Sequence, residues 1–177
     1  MNEKTISSQR AFDGRLLKLD VLDVELDNGR RSRREVVRHP GAVAVWARTP
    51  DKRFVFVRQF RKAIESDLLE IVAGTRNTGE PPDTCAIREV REETGYDVKT
   101  LTLLGFVHTA PGFCGERLEL FFAELAATGK PPSPDPDEVL EVVQLNRKEW
   151  EARVVQGDIH DAKTLAAWAL VQARGLV

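Results

Sequence analysis

The chain has 177 residues, 42% of them apolar, enough to bury one core without disulfides or a second domain, so a single globular unit is expected. A formal charge of -2, with basic residues spread along the chain, argues against a nucleic-acid partner. No apolar run approaches the roughly 20 residues that cross a bilayer, the stretch 1–10 is polar, and Cys85 and Cys114 lack metal-ligand spacing; these features predict a cytoplasmic protein with reduced thiols and no membrane partner.

Apolar alternation and β-branched residues predict strands over 16–26, 43–48, 54–60, 101–109, 118–125 and 139–145. Asp27-Asn28-Gly29 reads as a turn. A helix is expected over 82–94: Pro82 and Asp83 suit its first turn, Ile87 and Val90 its apolar flank, and Gly95 its end. Two more helices follow, 146–156 with an Asn146/Glu149 capping pattern and a stop at Gly157, and 161–174 ended by Gly175. The Pro-rich stretch 131–136 reads as a surface loop. Strands, one helix, then strands and helices again define an α+β sandwich. Trp46 is assigned to the core, and His39, His108 and His160 show no ligand spacing.

The chemistry gathers in Gly74-x5-Glu80-x7-Arg88-Glu89-Val90-Arg91-Glu92-Glu93-Thr94-Gly95-Tyr96. Glu89, Glu92 and Glu93 share one face of the expected helix, where like charges repel, and an oxygen-only carboxylate cluster suits a hard cation. Arg88 can fork onto a carboxylate and hold its orientation, and Glu80 can join from the preceding loop. A solvated acidic helix face is the plain alternative. Seven fixed identities at background frequencies make chance agreement roughly 10⁻⁷ per start position, which favours the site.

With those residues in view, 74–96 resembles the signature of the Nudix hydrolases at every fixed position. The resemblance implies a Nudix α/β/α sandwich with a mixed sheet, a single domain over 39–177 preceded by an N-terminal β-strand region over 1–38. It also implies hydrolysis of a nucleoside diphosphate linked to another moiety, with Mg²⁺ as cofactor and Mn²⁺ able to substitute. His39-Pro40-Gly41-Ala42-Val43-Ala44-Val45, Val57-Arg58-Gln59-Phe60-Arg61, Leu68-Leu69-Glu70-Ile71-Val72-Ala73-Gly74, Ala110-Pro111-Gly112-Phe113 and Asp161-Ala162-Lys163-Thr164 are similar to the ADP-ribose pyrophosphatase and nucleoside-diphosphate-sugar branch. In that superfamily a proline placed like Pro111, 16 residues after Gly95, accompanies ADP-ribose hydrolysis.

The resemblance assigns Glu89, Glu93 and the Ala73 carbonyl as metal ligands, Glu92 as a further ligand or bridge, and Arg88 and Glu80 as their supports. It puts the catalytic base in the acidic loop 135–138, with Glu138 first and Asp137 next. Arg58, Arg61, Glu70, Pro111, Phe113, Glu116 and Phe12 are the candidate substrate-binding residues: the arginines for pyrophosphate oxygens, Phe12 or Phe113 for stacking on a base. Each has a plainer role open to it, as a strand-end charge, a core residue or a turn residue. The branch also implies a homodimer whose N-terminal strands, 16–26 here, help close the partner's pocket. Val72 stands where the branch commonly has proline, and Gly115 where it often has a small polar or acidic residue; these departures keep GDP-mannose or another nucleotide sugar open as substrate. A nucleotide-sensing module without turnover is the rival from another class, and the intact set of carboxylates speaks against it.

Overall fold

The computed structural model describes residues 2–133 and 139–177. Asp137 and Glu138 therefore lie outside the described residues. The chain divides into two compact units, one formed by 1–41 with 108–117 and the other by 42–107 with 118–177.

In the first unit β1 (Glu3–Asp13), β2 (Lys18–Leu26) and β3 (Arg31–Arg38) make an antiparallel sheet in that order. The sequence predicts only the middle strand. β1 is exposed along its whole length, so it carries no apolar alternation, and β3 is largely charged. Charge pairing supports both: Arg34 forks onto Glu3 at 2.6 and 3.0 Å, and Arg10 and Arg38 both bind the buried Asp20, Arg38 at 3.0 Å. Hydrogen bonds from Arg10 first and Arg38 second hold the Asp20 carboxyl below its ordinary pKa. The expected turn is present. Gly29 takes φ 77°, which favours glycine, while its N–H donates to the Leu26 carbonyl at 2.8 Å.

The second unit is built on a mixed sheet of seven strands: β4 (Ala42–Arg48), β5 (Phe54–Arg61), β6 (Ser66–Glu70), β7 (Val72–Thr75), β8 (Tyr96–His108), β9 (Arg117–Gly129) and β10 (Leu140–Leu145). The order is β10-β5-β4-β9-β8, with β4 and β9 parallel. β4 and β5 pair directly only near Ala47 and Val55; below that they part, and β6 pairs with β5 while β7 pairs with β4. The sequence-based strands miss β6 and β7 because each is short. β8 starts five residues before the expected 101, where Asp97, Lys99 and Thr100 break the apolar pattern of an edge strand.

Helices α1 (Pro82–Thr94), α2 (Arg147–Gln156) and α3 (Ala162–Ala173) match the three expected. β4 alternates between two cores. Val43, Val45 and Ala47 face Cys85, Ala86 and Val90 of α1, whereas Ala44 and Trp46 face Trp150 of α2 and Trp168 of α3. Trp46 sits fully buried among Phe54, Phe56, Trp150 and Trp168, with ring centroids 5.1–5.4 Å from its own. Caps set the helix ends: Asn146 and Glu149 form the capping box of α2, and the Asp161 carboxylate accepts from the Thr164 N–H at 3.1 Å at the start of α3.

Between β6 and β7 the chain changes partner at Ile71, so the buried Ile71 N–H lies outside both ladders. It donates instead to the Thr164 hydroxyl at 2.9 Å. Thr164→Val keeps the shape but strands that donor, and the loss should be about 1–3 kcal/mol. Urea unfolding tests this; an unchanged midpoint would mean that Ile71 has another acceptor.

Candidate active site

α1 owes its register to apolar burial and its end to a glycine. Gly95 adopts φ 76°, and a Cβ there would stand 1.8 Å from the Lys130 carbonyl oxygen. With Cys85, Ala86 and Val90 against the sheet, Glu89 and Glu93 sit one turn apart beside that face, 9% and 3% exposed, with Glu92 half-buried next to them. The Glu89 side chain lies over Gly74 of β7: a Cβ on Gly74 would be 1.9 Å from Glu89 Cδ and Oε1. No other residue fits without moving the carboxylate. Since Ala73 adjoins Gly74, its backbone and the Glu89 carboxylate belong to one small neighbourhood.

Arg88 gathers the remaining acids. Its guanidinium reaches Glu80 at 2.9 and 3.0 Å, Glu89 at 2.7 Å and Glu92 at 2.8 Å. The fork from Arg88, with the Asn77 N–H as a lesser aid, holds the Glu80 carboxyl at about 2. A folded value below the ordinary 4.5 means the pair supports the fold fully above that pH and loses its contribution as pH falls towards 2. The loop leading to Glu80 is drawn in by Arg76, which donates to the Glu80 carbonyl at 2.7 and 3.0 Å.

At the end of β5, Arg61 clasps Glu70 with Nε–Oε1 2.6 Å and Nη2–Oε2 2.8 Å. Glu70 is 1% exposed, and Lys163 of α3 binds it as well while donating to Asp161 at 3.0 Å. Burial pushes the Glu70 carboxyl up, but Arg61 and Lys163 outweigh it and leave the pKa below its ordinary value. Glu70 in turn raises the Arg61 pKa, and the charges of Glu93 on α1 and of Asp161 add to that. Both arginines lie within β5 rather than after it. Arg58 is occupied differently, pairing at 3.0 Å with Glu141 directly across the β5–β10 ladder.

Phe12, Pro111, Phe113 and Glu116 belong to the first unit. Phe12 is exposed, its ring folded over the backbone of Gly14. The turn from Ala110 to Cys114 is tied to β3 by the Val37 N–H, which donates to the Phe113 carbonyl at 2.8 Å, and it leaves the Phe113 ring exposed. Glu116 accepts from Thr109 Oγ1 at 2.6 Å and lies 3.6 Å from His39 Nδ1.

Among the described residues, no three acidic, imidazole or thiol groups stand together as a ready-made metal cage. Arg88 already engages Glu89 and Glu92. The donor set nevertheless fits a hard divalent cation: every donor is an oxygen, and the cradle above Gly74 accepts the Glu89 carboxylate where any side chain would exclude it. Sequence reasoning assigned no role to Asp161, Lys163 or Thr164 beyond their place in a recurring motif. The spacing of a helix cap, Asp161-x-x-Thr164, was their visible signal.

The NUDIX domain matches residues 37–166, and the chain belongs to the Nudix family of hydrolases. It is 41% identical over 175 residues to the ADP-ribose pyrophosphatase of Bacillus subtilis (strain 168), covering 98% of this chain and 95% of that protein. It is also 42% identical over 171 residues to the methanol dehydrogenase activator of Bacillus methanolicus, covering 96% and 92%. The crystal structure of an ADP compounds hydrolase superposes with a TM-score of 0.84 at 23% identity, covering 100% and 98% of the two chains, and shares the fold. No helix among the described residues is long and apolar enough to cross a membrane.

Gly74→Ala should push the Glu89 carboxylate from its place and lower turnover by ~10² or more while the protein stays folded. Full activity in that variant would show that Glu89 tolerates displacement. Burial raises the Cys85 thiol to about 12, so it stays protonated and unreactive at pH 8. A colorimetric thiol titration of the native protein should count one fast thiol, the partly exposed Cys114, and the second only in denaturant.

Proposed function

We propose that this hydrolase cleaves the pyrophosphate of ADP-ribose, giving AMP and ribose 5-phosphate, with Mg²⁺ as the cofactor and Mn²⁺ as a substitute. One observation carries the chemistry: Glu89 and Glu93 are buried one turn apart on α1 with the Glu89 carboxylate laid over the Gly74 backbone, while Glu70 fixes one edge of the Arg61 guanidinium. That pairs a cation for phosphate oxygens with acids for a divalent ion. The near full-length similarity to a protein named ADP-ribose pyrophosphatase supports the choice of substrate.

Glu89, Glu93 and the Ala73 carbonyl would hold the cation, with Glu92 as a further ligand. When bound, it supplies neutralisation of phosphate charge and a lowered pKa for water. Arg61 takes pyrophosphate oxygens with the N–H groups that Glu70 does not use. Arg88 keeps Glu80, Glu89 and Glu92 oriented. Glu138, or Asp137 beside it, accepts the proton of the attacking water as the water oxygen bonds to one phosphorus and the bridging P–O bond breaks. Phe12 or Phe113 stacks on the base, Pro111 shapes its turn, Arg58 and Glu116 complete the substrate contacts, and Glu70, buried under Arg61 and Lys163, serves through Arg61 rather than by touching substrate. The region 1–38 serves assembly: Ile6, Phe12, Leu16 and Leu17 are exposed, which supports a homodimer in which these strands help close the partner's pocket over the domain 39–177. Two free cysteines support a cytoplasmic site of action.

A panel of ADP-ribose, GDP-mannose and other nucleotide sugars with Mg²⁺ or Mn²⁺ tests the substrate. ADP-ribose should give the highest kcat/KM, and a preference for GDP-mannose would replace it. Glu93→Gln, isosteric but uncharged, should lower turnover by ~10³ or more with the fold intact. Glu138→Gln should cost ~10²–10⁴ in kcat, against less than about threefold for a solvated loop charge; a comparable loss in Asp137→Asn alone would transfer the role. Light scattering should give a dimer, and a fully active monomer would sink the shared pocket.

A further inference from the structure

We propose that Lys163, at the first turn of α3, is a positioning residue: by neutralising Asp161 and Glu70 together it keeps Arg61 aimed at the phosphate-binding position. The inference rests on the reading of Arg61 as the pyrophosphate-binding arginine.

Glu70 is 1% exposed and its single charge is already paired with the fork of Arg61. A second cation on it needs another reason. Lys163, its side chain 15% exposed, binds Glu70 and Asp161 at once. Asp161 is committed to capping α3, and its charge also reaches Arg61. Without Lys163 two carboxylates would compete for one guanidinium. Arg61, its side chain 41% exposed, would then be drawn between the two carboxylates and out of its present fork on Glu70.

The same helix turn grips the neighbouring backbone. Thr164 accepts the Ile71 N–H at 2.9 Å, one residue after Glu70 and two before Ala73. Glu70 is thus located from α3 by a side-chain tie and a main-chain tie. The ladder with β5, where Glu70 stands opposite Val57, fixes only its strand position. Lys163 acts through Glu70 on Arg61 and touches no substrate itself.

A merely structural lysine would change the melting temperature and nothing else. Lys163→Gln should instead raise KM for the preferred nucleotide sugar by about tenfold with kcat changed less than about threefold, because the arginine binds ground and transition states alike. Lys163→Arg, which keeps the charge and can bridge both carboxylates, should restore KM. In an Arg61→Gln background Lys163→Gln should add less than about twofold, since both changes remove one function. A readout independent of turnover is the Arg61 side-chain Nε–H resonance, assigned by its loss in Arg61→Lys. It should be sharp and slow to exchange in the metal-free parent protein, fast-exchanging in Lys163→Gln and protected again in Lys163→Arg. Unchanged exchange in Lys163→Gln, an unchanged KM, or effects that multiply in the double variant would each overturn the proposal. Failure of the substrate reading is seen separately, as no turnover of any nucleotide sugar by the unaltered protein, and leaves the resonance test standing.

Discussion

Taking a carboxylate out of water costs several kcal/mol unless cations or N–H donors replace the lost hydration. The second unit does so at Glu70 and Glu89, and its local architecture follows from how these two are compensated by Arg61, Lys163 and Arg88. Arg88 is the counter-ion of α1. By bonding Glu80, Glu89 and Glu92 together it replaces the repulsion of a crowded acidic face with one shared cation. Removing that arginine would release three acids at once, so its charge supports the helix as well as the site.

The sheet makes this burial possible because β4 and the first half of β5, 54–57, are apolar on both faces. Helix α1 covers one face and α2 with α3 the other, so side chains from opposite sides of the sheet approach the same strand ends. Where β4 and β5 part, β7 takes the place beside β4 and brings Gly74 under α1. A direct β4–β5 pairing along the whole length would leave no glycine backbone for Glu89 to lie on.

The central strands, all three helices, the capping box of α2, the glycine end of α1 and the clustered acids were legible because each has a strong local signal: apolar alternation, Asn146 with Glu149, Gly95 after a helix, carboxylates at helical spacing. β1 and β3 were not, since Arg34 with Glu3 and Arg38 with Asp20 are pairings between residues 18 to 31 positions apart, and charge ladders leave no period-two apolar pattern. The same limit hid the role of Lys163. Its partner Glu70 is 93 residues away, and sequence spacing is silent about contacts made only when α3 docks. Arg88 was visible as a helper because it acts within one helix; its reach to Glu80 needs the loop closed by Arg76.

Ile71 explains why α3, on the far face from α1, bears on the acids at all. Along 69–73 the side chains alternate between cores: Leu69, Ile71 and Ala73 pack with the α2–α3 side, Val72 with the α1 side. The strand break at Ile71 therefore sits between the two layers. Its N–H is held by Thr164 from one side, while Gly74, three residues on, is pressed by Glu89 from the other. The first turn of α3 therefore holds this segment at two adjacent points, Thr164 on the Ile71 N–H and Lys163 on the Glu70 carboxylate. The arginine proposed for phosphate and the backbone proposed for the metal thus both neighbour contacts made by the first turn of α3, even though one comes from β5 and the other from β7.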